Sequence, residues 1–155
     1  AAVQADVKTR QLSVIHLATH GQFSSKASET FILTWDKPLD IKQLNTLLAS
    51  RELLNSSPIE LLVLSACQTA KGDKRAALGL AGVAVRSGAR STLATLWTVS
   101  DESTADFMVQ FYQELLKPEV TKAEAVRLAQ LHLLKQPKFS HPYYWAPFIL
   151  VGSWL

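Results

Sequence analysis

Glu60-Leu61-Leu62-Val63-Leu64-Ser65-Ala66-Cys67-Gln68-Thr69 opens on an unbroken apolar run and closes on small residues around a thiol. Leu-Leu-Val-Leu without polar alternation reads as a strand over 60–66 that is covered on both faces, as inside a parallel sheet. The thiol falls where that strand ends. In open α/β sheets the carboxyl ends of the strands are where sites are built. Cys67 is the single cysteine of 155 residues, so the questions for the rest of the chain are what activates it and what binds beside it.

Working outward, Ser13–Ala18 reads as a second apolar strand that runs into Thr19-His20-Gly21, where the glycine marks a turn. Gln22–Thr30 reads as a loop, Phe31–Trp35 as a strand and Asp36-Lys37-Pro38 as a turn. Asp40 is an N-cap candidate for a helix from Ile41 to about Leu54, with Leu44, Leu47 and Leu48 on one face. Beyond Cys67, 70–75 is a charged loop and 76–87 a small-residue apolar helix whose Gly79 and Gly82 suit close packing. Ser91–Trp97 is a further buried strand. Ser100 caps a helix over 101–116 with Ala105, Met108, Phe111, Tyr112 and Leu115 as its apolar stripe, and Asp101 and Glu102 suit its dipole. Thr121-x-x-Glu124 is a capping box for a helix to about Lys135, ended by Pro137. Phe148–Val151 is the last strand.

Strand–helix alternation after about residue 40 predicts a single α/β domain over 1–155, a mostly parallel sheet with helices on both faces. The apolar fraction of 48% argues against disorder, and a net charge of +3 without basic runs or an aromatic platform points away from nucleic acid. A lone cysteine forms no intrachain disulfide, and neither a signal peptide nor a membrane-length apolar run stands out, so a cytoplasmic setting is expected. The opening on Ala1 just ahead of a strand, and the close at a strand edge, read as a piece of a longer polypeptide.

His20 and Cys67 occupy matching places, each just past an apolar strand. If those strands are parallel neighbours, both residues emerge at one sheet edge. An imidazole there raises the thiolate population or takes the proton during attack. The spacing of 47 positions (67 − 20) is near the roughly 50 that separates His and Cys in caspases. Gly21 leaves its amide free to act with that of Cys67 as a two-donor oxyanion hole. Each residue alone also fits a structural role: a buried thiol is commonly a small hydrophobe. His16, on the Val14 and Ala18 side of its strand, reads as a core or supporting residue. His132 and His141 lack a partner pattern, and no metal-ligand spacing is present. Trp35 and Trp145 read as packing residues.

His16–Gly21 (His-Leu-Ala-Thr-His-Gly), Leu64–Ala70 (Leu-Ser-Ala-Cys-Gln-Thr-Ala), Gly88–Ser91, Leu96–Asp101 and His141–Phe148 together resemble the CHAT domain family. The resemblance runs from about Val14 to the end. It implies a caspase-like cysteine peptidase, related to caspases and separase and often attached to tetratricopeptide repeats. His20 would be its general base, Cys67 its nucleophile and Gly21 an oxyanion donor, acting on a protein substrate without a cofactor. It also implies strands ahead of the histidine strand that this chain would lack, which would leave an open sheet edge able to self-associate. The segment Trp97-Thr98-Val99-Ser100-Asp101 would pair with an extended peptide. Asp101 would then favour Arg or Lys before the scissile bond, although it is equally an ordinary helix-start residue. The separase-like acids further on are replaced by Ser103 and Ala105. Two other readings remain open: a catalytically silent interaction module fused to repeats, and a redox-sensing thiol.

Overall fold

The computed structural model describes residues 12–23, 29–35, 37–53, 58–65, 67–69, 82, 84–85 and 88–155. The apolar run at the start of the quoted stretch is β5 (Leu61–Leu64), and every one of its residues is buried. It lies between two parallel partners, β1 (Val14–Leu17) and β7 (Ser91–Thr95), and β7 in turn pairs antiparallel with β8 (Phe148–Gly152). The order of this sheet is β1-β5-β7-β8. A second sheet, of order β4-β3-β2-β6, contains β2 (Gly21–Phe23), β3 (Phe31–Leu33), β4 (Pro38–Asp40) and β6 (Cys67–Thr69).

Alternation along β5 divides the core in two. Leu62 and Leu64 join Ile15, Ala94 and the leucines 44, 47 and 48 of α1 (Ile41–Leu53) on one face. Leu61 and Val63 join Leu93, Phe107, Phe111 and Leu133 on the other, under α2 (Asp101–Leu115) and α3 (Lys122–Leu134). A strand with apolar side chains on both faces needs cover on both, which is why the run shows no polar alternation. Phe107 stacks on Phe148 with ring centroids 3.6 Å apart, fastening α2 to the antiparallel end of the sheet.

The helix starts follow the capping logic of the sequence. Asp40 Oδ1 accepts from the Gln43 amide at 2.7 Å while Gln43 Oε1 accepts from the Asp40 amide at 3.2 Å, a reciprocal capping pair. Ser100 and Thr121 accept from the amides of Ser103 and Glu124. Glu124 does not reach back to Thr121 but forks onto Arg127.

Four local expectations need correction. Gly21–Phe23, expected as the start of a loop, is strand β2, and Pro38–Asp40, expected to end a turn, is strand β4. Neither is apolar enough to declare itself; each exists because β3 pairs with both. The α2 core face is turned slightly from the expected stripe: Met108 and Phe111 are buried and Tyr112 and Leu115 pack against them as expected, but Ser103, Phe107 and Glu114 are buried too and Ala105 is exposed. Trp35 is fully exposed rather than packed, whereas Trp145 does pack at the edge of the second core. The charged loop 70–75 lies outside the described residues. Of the small-residue helix, 82, 84 and 85 are described and helical, with Ala84 fully buried.

Two substitutions report on this packing in opposite directions. Gly152 sits at φ +104°, and a Cβ there would come within 2.3 Å of the Arg90 carbonyl oxygen. Gly152→Ala is expected to cost about 1–3 kcal/mol or more, read as a lower urea midpoint. The Thr92 hydroxyl is fully buried in β7 and has no hydrogen-bond partner among the described residues. Thr92→Val removes a stranded polar group at nearly the same shape and is expected to stabilise the fold by about 1 kcal/mol, read as a higher urea midpoint.

Candidate active site

Two chain segments cross from the first sheet to the second side by side. β1 is followed by β2 after Ala18-Thr19-His20, and β5 by β6 after two intervening positions along the chain. Both pairs are parallel: Leu17 is level with Leu64, and Gly21 with Cys67. The register offset is 47 on the first sheet (Val14 with Leu61) and 46 on the second (Gly21 with Cys67). The histidine segment therefore carries one extra residue at this joint. In the first register His20 would be level with Cys67; in the second, its neighbour Gly21 is. Extra residues of this kind bend a strand and re-aim its side chains, and they gather near active sites.

The backbone around His20 is fixed from the β3 side. Leu33 donates its amide to the His20 carbonyl at 2.8 Å, and the Thr19 hydroxyl donates to the Leu33 carbonyl at 2.9 Å. Because backbone groups alternate in direction along a strand, the Gly21 amide faces the opposite way, toward β6. There the sheet ladder and an incoming oxygen would compete for it.

A cleft of about 450 Å³ opens beside this joint. One wall holds His16, Ala18, Thr19, His20 and Ser65; the other holds Asp101, Thr104, Ala105 and Met108 of α2. The four α2 residues follow one stripe of the helix at spacings of three and four. Small side chains at 104 and 105 leave the room, and Asp101 brings a carboxylate to the same cleft as His20. Asp101 occupies the first turn of α2, behind the Ser100 cap, where the helix dipole favours an anion.

Trp97 and Thr98 are placed differently. The Trp97 indole donates to the Tyr143 carbonyl at 3.0 Å, and the Tyr143 hydroxyl donates to the Thr98 carbonyl at 2.6 Å. These bonds bind 97–98 to α4 (Pro142–Trp145), a short helix capped by His141, whose Nδ1 accepts from the Tyr143 amide. Neither Trp97 nor Thr98 lines the cleft that holds His20 and Asp101.

His16 is not a core residue. It leaves β1 opposite Ile15, open to solvent on one side, with Nε2 2.8 Å from the Ser65 hydroxyl and Nδ1 3.1 Å from the Tyr112 hydroxyl of α2. Burial of its remaining surface holds its pKa below the ordinary imidazole value, and burial likewise raises that of Tyr112. The signal available in the sequence was a histidine inside an otherwise apolar strand, four residues ahead of a second one. His132 is also partnered, to Asp106 and Gln136 between α2 and α3. Among the described residues, no three His, Cys, Asp or Glu side chains converge as a metal site, and no helix is long and apolar enough to cross a membrane.

The chain is similar to two curated proteins. Tetratricopeptide repeat protein 28 of Mus musculus is 30% identical over 131 residues, covering 76% of this chain and 5% of that protein. Its counterpart of the same name in Homo sapiens is 32% identical over 101 residues, covering 62% of this chain and 4% of that protein. The chain thus spans a small fraction of the length of these relatives. A family profile described as the CHAT domain matches residues 1–153. With that match over nearly its whole length and a mostly parallel α/β sheet between helical layers, the chain belongs to the CHAT domain family.

Proposed function

We propose that this domain is a cysteine endopeptidase in which His20 is the general base and Cys67 the nucleophile. The single observation that carries the reading is the parallel pairing that sets Gly21 level with Cys67, with His20 one residue away on the wall of an open cleft. His20 takes the thiol proton as sulfur attacks the peptide carbonyl, forming a C–S bond and an oxyanion. Amides at Gly21 and Cys67 stabilise that oxygen. Collapse breaks the C–N bond, and the imidazolium returns the proton to the leaving amine. Water then gives a proton to His20 and attacks the thioester, releasing the acid and restoring the thiol.

Asp101 on the facing wall suits a cationic side chain before the scissile bond, since a carboxylate is the natural partner of Arg or Lys. The segment at Trp97 and Thr98 is the one expected to lie along an extended substrate. Its backbone is already braced by Tyr143, so it would guide the peptide from outside the cleft. The curated relatives are tetratricopeptide repeat proteins by name, which favours repeats elsewhere in the parent chain as the partner that presents substrate. The end strand β1, paired with β5 among the described residues, is the edge through which copies would self-associate. The expected setting is the cytoplasm.

A peptide carrying Arg and a thiol-reactive warhead tests the assignment, because one cysteine in the chain gives a single mass shift. Wild type is expected to take up one equivalent, Cys67→Ala none, and His20→Ala to react roughly 100-fold more slowly. Equal labelling of folded wild type and His20→Ala would leave the silent interaction module as the reading that stands. Reversible oxidation of Cys67 without peptide turnover would instead favour the redox thiol.

Specificity is a separate measurement. Asp101→Asn is expected to lower the preference for an Arg warhead over an Ala warhead by about tenfold. Ala105→Trp fills the cleft between the walls and should block both warheads, while iodoacetamide, which needs no pocket, still reacts.

A further inference from the structure

His16 lies on β1 and bonds both the residue that follows β5 and a residue of α2. It stands four residues ahead of His20. Its Nε2 meets the hydroxyl of Ser65, which follows β5 directly and precedes Cys67 by two residues. Its Nδ1 meets the hydroxyl of Tyr112, three turns along α2 from Asp101. The Tyr112 ring also lies against the imidazole, with centroids 5.7 Å apart. Ser65 is buried, and its hydroxyl lies 2.8 Å from the Nε2 of this histidine. A chain placing a polar pair between two parallel strands at the rim of an apolar core fixes their relative position there, because losing either partner strands the other.

We propose that His16 is a positioning residue: through Ser65 and Tyr112 it holds the Cys67-bearing connection and the Asp101-bearing helix in register with the His20 segment. A neutral imidazole suits this, since it has one N–H to give and one lone pair to receive, and partial burial favours that neutral form. The two hydroxyls complete the chain, each turning to whichever role the ring leaves to it. Without the tie, the joint with the extra residue would lose its side-chain bond to α2 and keep the bonds from the β3 side, at Leu33.

The inference rests on the His20–Cys67 reading above, and the experiment separates the two. The rate of Cys67 alkylation by iodoacetamide against pH reports the thiolate directly, with no substrate and no second thiol. His20→Ala moving that profile to higher pH supports the dyad; an unmoved profile overturns it. With the dyad so established, His16→Ala, Ser65→Ala and Tyr112→Phe are each expected to shift the profile the same way and to slow reaction at pH 7 by about tenfold. Ser65→Ala and Tyr112→Phe each delete one hydroxyl and keep the question open to test if His16→Ala fails to fold.

His16→Gln, whose amide nitrogen stands near the position of Nε2, keeps the Ser65 bond and should match Tyr112→Phe in rate. His16→Asn, whose amide stands near Nδ1, keeps the Tyr112 bond and should match Ser65→Ala. A folded set in which His20→Ala shifts the profile while Ser65→Ala, Tyr112→Phe and His16→Asn leave it at wild type overturns the positioning role. An effect of His16→Ala that persists in a folded His20→Ala background undiminished would also overturn it, because His16 would then act on the thiol independently.

Discussion

The parallel pairing of β1 with β5, carried over the joint into the pairing of β2 with β6, is the constraint on which the rest depends. Parallel neighbours point their carboxyl ends the same way, so whatever follows each strand emerges at one rim. That geometry sets Gly21 level with Cys67, 46 positions away in the chain (67 − 21). The remainder of the fold keeps β5 central. A strand between two parallel neighbours has no free backbone groups along either edge, and two apolar faces beneath helices leave it little freedom to slip.

The change of register at the joint is where the fold departs from regularity. An offset of 47 becomes 46 between Leu17 and Gly21. One extra residue in one strand shortens the ladder by a step and turns the backbone locally. The cost is met by specific bonds: Leu33 closes on the His20 carbonyl, and Thr19 closes on Leu33. On the α2 side the imidazole of His16 spans to Ser65 and Tyr112. Irregular backbone at a sheet rim persists only where its surroundings over-determine it, and these bonds supply that determination from opposite faces.

How much of this was legible in the sequence follows from how local each cause is. Leu-Leu-Val-Leu had one reading, because nothing but two-sided burial explains four apolar residues bounded by Glu60 and Ser65. The caps at Asp40, Ser100 and Thr121 were legible for the same reason: a capping side chain bonds within three residues of itself. β2 and β4 were not, since three-residue strands with Gly21 and Pro38 in them are created by β3 alongside and not by their own pattern. The rotated face of α2 illustrates the same limit. Phe107 is drawn inward by its stack on Phe148, a partner 41 positions away (148 − 107), and that turn of the helix carries Ala105 out to the cleft. His20, Gly21 and Cys67 could be matched in the sequence as residues just past strand ends, and of these Gly21 and Cys67 pair in the sheet. His16 could be noticed but not assigned, because its meaning lies in hydroxyls on two other elements.

Asp101 shows why one residue can satisfy two demands without conflict. At the first position of α2 a carboxylate is favoured by the helix dipole, by about 0.3–1 kcal/mol at an exposed site, so the fold itself gains from it. The same position faces the cleft because the apolar side of α2 is set by Phe107, Met108 and Phe111 against the sheet. The helix therefore delivers its favoured anion to the rim where the strand ends converge. A cation bound there would complete the charge arrangement rather than oppose it. Under the proposed reading, substrate charge and helix stability would favour the same side chain at this position. This explains how a cleft can hold a fixed charge without the folding penalty that a buried carboxylate would carry.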